Sequence, residues 1–390
     1  MEIHAGVDAG NCRSSRVSST IQERVCEAGA ARTPLRIAGN SSWRNAGRPV
    51  AAADTMSVAD HSGVVEYVPS DLTITVRAGT TLAEIARVTG EHGQWLPLNP
   101  FGSAQGTIGA TVATASSGPL SQGFGTIRDL VLGVEIVTGD AKIVRGGGRV
   151  VKNVAGFDLV RLLTGSWGTL GVIAEVSLRL YALPAHRMTM AMDSPTDTRR
   201  LAQRLRSLLD APIIPFSLVL VSEELARRVG LPARSTILAE FGGNAAAVSA
   251  QRDALAAIGT VTEVPTDVWE KMRDAGVSDS MVVRVSGLPA SLAERWERVR
   301  SVGPSGGASM IHASIGRGTV RCIFPREVPA SAMDAFAASH ADDTIIFETL
   351  PPALWTSLAP SATADRVSKG IKRAFDPLGI LNPGILGPSN

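Results

Sequence analysis

The chain has 390 residues, a formal net charge of +2 and only 4% aromatic residues. That length exceeds the ~250–300 residues at which a single core stops growing, so two or more domains are expected. The absence of a basic block and the scarcity of rings argue against a nucleic-acid surface, and no apolar run approaches the ~18 residues of a membrane helix.

The start of the chain lacks a charged stretch followed by an apolar one, so no signal peptide is expected. Met1–Ser15 has no periodicity. Ser18, Ser19 and Thr20 precede an amphipathic run through Ile21, Val25 and Ala28, which predicts a capped helix. Leu35 and Ile37 predict a strand that runs into the turn Arg36–Ser42, where successive N–H groups form a nest suited to a diphosphate. Thr80 and Thr81 cap a predicted helix bearing Leu82, Ile85 and Ala86, closed by Gly90 and Gly93.

Thr107-Ile108-Gly109-Ala110 and Ala115-Ser116-Ser117-Gly118 are the tightest glycine-containing runs, where the missing Cβ lets main-chain N–H groups approach a ligand. Any one of these runs fits a plain tight turn equally well. Together with the Gly39 turn, and with no lysine among them, they point to a ligand held by backbone. There is no Gly-x-x-x-x-Gly-Lys-Ser/Thr and no Gly-x-Gly-x-x-Gly opening a helix after the first strand, so ATP P-loop and ordinary Rossmann readings fall away. Ala141–Val144 predicts a strand, and Gly146-Gly147-Gly148 a hairpin or flexible turn after it. Leu159–Leu163 predicts a helix, and Val172–Leu180 alternates like a strand.

After Pro184 strands and helices alternate. Strands are expected over Met188–Met192, Phe216–Val221, Ile237–Phe241, Met281–Val285, Met310–Ile315 and Val320–Phe324. Helices are expected over Thr196–Leu209, Ala246–Ala257 and Ser291–Val302, and a last one near Asp365–Phe375. This is the pattern of an α+β unit with an antiparallel sheet. Cys12, Cys26 and Cys322 form no Cys-x-x-Cys pair, so they cannot hold an iron–sulfur cluster by themselves and read as buried, inert thiols in a cytoplasmic protein.

Several motifs carry a family resemblance: Pro69-Ser70-Asp71-Leu72-Thr73-Ile74-Thr75-Val76-Arg77-Ala78-Gly79, Thr107-Ile108-Gly109-Ala110 and Arg128-Asp129-Leu130-Val131-Leu132-Gly133. They continue in Lys152-Asn153-Val154-Ala155-Gly156-Phe157-Asp158-Leu159, Gly165-Ser166-Trp167-Gly168-Thr169-Leu170-Gly171, Ile371–Pro377 and Ile380–Gly384. On these the chain resembles the FAD-binding type-4 (PCMH, vanillyl-alcohol oxidase-like) flavoproteins, and within them the FAD-binding subunits of glycolate oxidase.

The resemblance implies an α+β fold with a two-subdomain FAD-binding domain at 1–184, an α+β cap or substrate domain at 185–350, and a segment at 351–390 returning to the first. It implies that Gly39, Asn40, Ser41 and Ser42 meet the diphosphate, that Pro69 packs near the isoalloxazine or ribityl end, and that Thr107, Ile108, Gly109, Thr114, Ser117, Gly118 and the Gly123–Ile127 turn continue the cradle. Ile173 would lie near the adenine, and Asn382 and Lys372 near the ring, with Asn382-Pro383-Gly384 reading equally as a helix-ending turn. The first loop holds no histidine or cysteine and His61 lies too far along, so non-covalent FAD is expected.

Related hydroxy-acid dehydrogenases carry a metal-binding His-Ala-Gly-Asp-Gly-Asn-Leu-His stretch. Here it reads His312-Ala313-Ser314-Ile315-Gly316-Arg317-Gly318-Thr319, with Ile315 and Thr319 where two ligands would stand, so no metal is expected. His312 then reads as a packed strand residue before it reads as a base. Arg317 and Arg321 are candidates to face a carboxylate, and solvated arginines are an equal reading. No residue stands out as the catalytic base.

Two functions stay open: the FAD-binding subunit of a glycolate-oxidase-type complex, beside a second flavoprotein subunit and an iron–sulfur subunit at the inner face of a membrane, and a free-standing FAD-dependent 2-hydroxy-acid or alcohol oxidoreductase. A paralogue that has lost flavin and acts only in assembly is a third.

Overall fold

The computed structural model describes residues 16–43, 45–148, 158–276, 280–302, 309–359 and 361–388. Met1–Ser15 with Cys12, and Lys152–Phe157 of the quoted motif, lie outside them. Helix α1 (Arg16–Ala31) buries Ile21, Val25 and Ala28 at amphipathic spacing. It starts ahead of Ser18–Thr20, which therefore sit inside its first turns and not at its cap. Strands β1 (Leu35–Ala38) and β2 (Asp54–Ser57) pair in parallel, and Leu381 near the far end of the chain bridges to Leu35 as a further parallel partner. Ile21, Val25, Leu35, Met56, Val58, Ile380 and Leu381 share one small core.

The next unit is a five-stranded antiparallel sheet built from β3 (Val64–Val68), β4 (Thr73–Arg77), β5 (Val131–Val137), β6 (Ile143–Gly147) and β7 (Val172–Arg179). Its order is β3-β4-β7-β5-β6. Helices α2 (Leu82–Gly90), α3 (Ile108–Thr114) and α4 (Leu159–Leu163) pack on it through Ile85, Ile108, Val112, Val160 and Leu163. Thr81 caps α2 through its side chain, which accepts from Glu84 N. Two expectations need correcting here. Ala141 occupies the left-handed region in the β5–β6 turn, so the strand begins at Ile143. Gly146 and Gly147 lie inside β6, opposite Val134 and Gly133; the hairpin turn precedes this strand. Leu159 Cβ lies 2.4 Å from where a Cβ on Gly146 would stand.

The remaining sheet has eight strands: β8 (His186–Asp193), β9 (Ser217–Val221), β10 (Thr236–Gly243), β11 (Val261–Val264), β12 (Ser280–Ser286), β13 (Met310–Ser314), β14 (Thr319–Pro325) and β15 (Thr344–Thr349). The order β11-β8-β10-β9-β13-β14-β12-β15 is antiparallel throughout. Helices α5 (Thr198–Asp210), α6 (Glu223–Arg228), α7 (Ala245–Ala256), α8 (Val268–Asp274), α9 (Leu292–Val302) and α10 (Ala330–Ser339) follow in turn.

Leu201, Leu205, Val248, Trp296 and Phe336 from α5, α7, α9 and α10 cover one face, meeting Leu218, Leu220, Val283, Ile311, Ala313 and Cys322. Because side chains alternate along a strand, His312, Arg321 and Arg284 are left for the opposite face, which turns toward the first two units. Trp95, Phe124, Tyr181 and Phe216 form a ring cluster between the units, and Gly123 N donates to Phe216 O at 3.1 Å.

Helix α11 (Arg366–Phe375) brings the chain back to the first units. Asn382 N donates to Leu35 O at 2.9 Å. The architecture is α+β with antiparallel sheets. Cys322 is buried as expected, whereas Cys26 is exposed on α1.

Candidate cofactor cleft

A cleft of about 1150 Å³ opens between the β1–β2 unit and the five-stranded sheet. One wall is the turn that leaves β1. Ser41 has φ 60°, Asn40 Oδ1 accepts from Ser42 N at 3.3 Å, and Asn40 Nδ2 donates to Gln105 O. This is a compact, anion-binding type of turn held open by its own side chain. The facing wall is α3 and its entry. Thr107 caps α3, Ile108 N donates to Thr80 O and Gly109 N to Ala78 O, each at 2.9 Å. The first amides of α3 are thus spent on the end of β4, and the Gly39–Ser42 turn is left to supply main-chain donors.

Close approach requires glycine at two places here. A Cβ on Gly39 would lie 2.3 Å from Thr107 Oγ1, and one on Gly109 2.7 Å from Ala78 Cβ and 2.9 Å from Ala78 O. The two walls touch at Gly39, whose missing side chain sets their approach, whereas Gly109 seats α3 against Ala78 at the end of its own sheet.

The cleft brings together Gly39, Asn40, Ser41, Ser42, Thr107, Gly109, Thr114, Ile173 and Asn382 from four distant stretches of sequence. Six other expected residues lie off its lining, each for a local reason. Pro69 sits in the turn between β3 and β4, where its carbonyl accepts from Gln94 Nε2 at 2.8 Å. Ile108 and Ile127 are fully buried in the core of the five-stranded sheet. Ser117 Oγ accepts from Ile127 N at 3.4 Å. Gly118 is pressed on Asn99, where a Cβ would lie 1.7 Å from the carbonyl oxygen, and Gly123 packs on Phe216 of the eight-stranded sheet.

Lys372 is also spent on structure. Its Nζ donates to Thr169 O at 2.8 Å, Leu381 O at 3.0 Å and Asp376 Oδ2 at 2.5 Å, and burial holds its pKa below the usual lysine value. Asn382 lines the cleft, but its amide clamps β1 to the Trp167 turn: Oδ1 accepts from Ile37 N at 2.8 Å and Nδ2 donates to Trp167 O at 2.7 Å.

Trp43, Phe101, Trp167, Gly168 and Ile385 complete the lining. Trp167 and Gly168 belong to the quoted Gly165–Gly171 motif, a signal that marked the segment without marking its role. Phe101 links the cleft to the eight-stranded sheet. Its ring lies 4.7 Å from that of His312 and 4.1 Å from the guanidinium carbon of Arg321. Both of those residues are buried; burial first, and Arg321 second, push His312 down to about 3. Arg321 Nε donates to Glu348 Oε2 at 3.0 Å. Arg317 is committed elsewhere, with Nε and Nη2 both donating to Ser121 O, which fastens the two parts of the molecule together. His61 is buried away from the cleft.

Among the described residues no group of three His, Cys, Asp or Glu side chains is placed to hold a metal ion. Among them, too, no helix is long and apolar enough to cross a membrane.

Residues 16–147 match the FAD binding domain family. The chain is 42% identical over 182 residues to glycolate oxidase subunit GlcE of Escherichia coli (strain K12), covering 46% of this chain and 51% of that subunit. It is 34% identical over 190 residues to glycolate oxidase subunit GlcD of Bacillus subtilis (strain 168), covering 46% of this chain and 40% of that one. The chain thus spans about half the length of these curated relatives. In three dimensions it superposes on 4-ethylphenol oxidase from Gulosibacter chungangensis with a TM-score of 0.70 at 14% identity, over 95% of this chain and 87% of that one. At that identity the likeness is one of fold.

Proposed function

Since the chain belongs to the flavoproteins built on this FAD binding domain, we propose that it is the FAD-binding subunit of a glycolate-oxidase-type complex. In that complex it takes part in oxidising a 2-hydroxy acid to a 2-oxo acid, beside a second flavoprotein subunit and an iron–sulfur subunit. The observation that carries the reading is the cleft itself. The turn after β1 meets the entry to α3 where Gly39 touches Thr107, with main-chain donors and short hydroxyl side chains, and with neither lysine nor carboxylate on the lining.

That donor set fits the diphosphate of FAD. The Gly39–Ser42 turn would hold it, Thr107 and Thr114 would line its path, and Ile173 would give an apolar contact for a flat ring. Trp43, Trp167 and Phe101 offer faces for the rest of the cofactor and keep water from it. No histidine, cysteine or tyrosine is among the described residues of the lining, which supports non-covalent binding. Bound FAD supplies a two-electron acceptor. The chain's own part is to bind it, orient it and present it to the face of the eight-stranded sheet that carries His312 and Arg321. The reading places the chain in the cytoplasm, at the inner face of a membrane through its partners.

A visible spectrum of the purified chain, recorded before and after anaerobic addition of glycolate or D-lactate and after acid release, tests this. Releasable flavin that bleaches only when partner subunits are present is the expected result. Flavin that bleaches with the isolated chain favours a free-standing oxidoreductase, and a chain without flavin overturns the assignment.

A further inference from the structure

Two buried polar atoms on neighbouring strands have no hydrogen-bond partner: Nη1 of Arg321 on β14 and Nε2 of His312 on β13. The two residues stand directly opposite each other in the ladder, and each is only 5% exposed. An orphaned buried donor is costly, and two side by side mark a place where something else completes the bonding.

The charges nearby say what kind of group that is. Glu348 accepts from Arg321 through Oε2, and its Oε1 lies 3.8 Å from Arg284 Nε. Two guanidiniums share one carboxylate, so one positive charge is left over, room for a single anion. Arginine's donor fork suits a carboxylate in particular. His312 is held neutral by burial and by Arg321, so it offers one N–H without adding charge. Phe101 lies on both side chains and also lines the cofactor cleft. The neighbouring Gly102 has φ 107° and open space where a Cβ would stand, while its N donates to Arg273 O at 3.0 Å and anchors the loop beside Phe101.

We propose that Arg321 and His312 form the seat of the substrate's carboxylate, and that Phe101 turns aside to admit it. The carboxylate accepts one hydrogen bond from Arg321 Nη1 and one from His312 Nε2, while the rest of the acid stays on the Phe101 side, toward the cleft. Arg317 takes no part. The inference rests on the reading of the chain as a hydroxy-acid flavoprotein, and it deepens that reading by replacing a metal with a guanidinium at this sheet face.

The test uses the FAD-loaded chain and two probes, acetate and glycolate, with affinity read by calorimetry and thermal protection and the rate of binding by stopped-flow flavin absorbance. Acetate has the carboxylate but no oxidisable hydroxyl, so it reports the seat without turnover. Both anions are expected to bind competitively. Arg321→Met combined with Glu348→Gln, which leaves Arg284 as the single cation of the three groups, weakens both at least tenfold by removing the donor fork, and His312→Leu weakens both about fivefold. Phe101→Ala, which leaves the charges intact, speeds acetate binding. Acetate binding that survives in the double variant and in His312→Leu, or that is absent from the unaltered chain, overturns the seat; an unchanged rate in Phe101→Ala overturns the gate. Acetate binding that depends on Arg321, in a chain whose flavin never bleaches with glycolate even with partners, upholds the seat and overturns the hydroxy-acid reading. Bleaching at unaltered KM in the double variant does the reverse.

Discussion

Asn382→Ala is the substitution with the widest expected consequence for the cleft. Asn382 is 4% exposed, and its amide joins Ile37 N of β1 to Trp167 O. Truncation strands a donor and an acceptor that are both partly buried, at a cost of about 2–4 kcal/mol together. The residue also holds φ at 43°, a region asparagine tolerates and alanine resists by about 1 kcal/mol. The total for alanine is therefore about 3–5 kcal/mol, whereas Asn382→Gly loses the same bonds without the strain and falls about 1 kcal/mol short of that. Equilibrium urea unfolding followed by flavin release reports this unit apart from the eight-stranded sheet. An alanine variant within about 1 kcal/mol of the unaltered chain, or a glycine variant no milder than alanine, refutes the reasoning.

Three further outcomes follow from the geometry. Gly39→Ala should weaken FAD binding at least tenfold because its Cβ lands 2.3 Å from Thr107 Oγ1, and Thr107→Ala in the same chain should restore part of it; additive losses in a flavin fluorescence titration would deny the contact. Gly109→Ala meets the Ala78 backbone, which cannot rotate away, so no second-site truncation should rescue it, and a cost of about 1–3 kcal/mol is expected by urea unfolding. His312 is pushed from the ordinary 6.5 down to about 3. The unfolded chain therefore binds a proton there that the folded chain refuses, and stability is lost as pH falls from about 6.5 toward about 3. His312→Leu should remove up to ~1.4 kcal/mol per pH unit from that acid slope, read from urea midpoints at pH 7 and pH 5; an unchanged slope would show that His312 is not held neutral.

Much of the fold was legible from local pattern. The helix at Thr198–Asp210 shows its period and its Asp197 cap, and β7 shows its alternation. The Gly39 and Thr107 runs stood out as candidates because a backbone able to approach a ligand closely lacks side chains. Other glycines carry the same letter for another reason: Gly118 and Gly123 are small because Asn99 and Phe216 press on them, and no local pattern separates packing from binding. The partners of Pro69 and Lys372 were illegible for a similar reason, since they are Gln94, Thr169 and Leu381, far away in sequence.

The sequence alone carried the expectations of a lysine-free backbone cradle and of no metal, with Ile315 and Thr319 at two ligand places, because both depend only on which residue types are present. Only the tertiary structure separates the surroundings of Arg317 from those of Arg321. Four positions apart, they differ in that one lies in the turn before β14, where Ser121 takes its fork, and the other lies in the ladder opposite His312 and beside Glu348. Strand register and parity set that difference, and register is settled by which strands pair across the whole sheet.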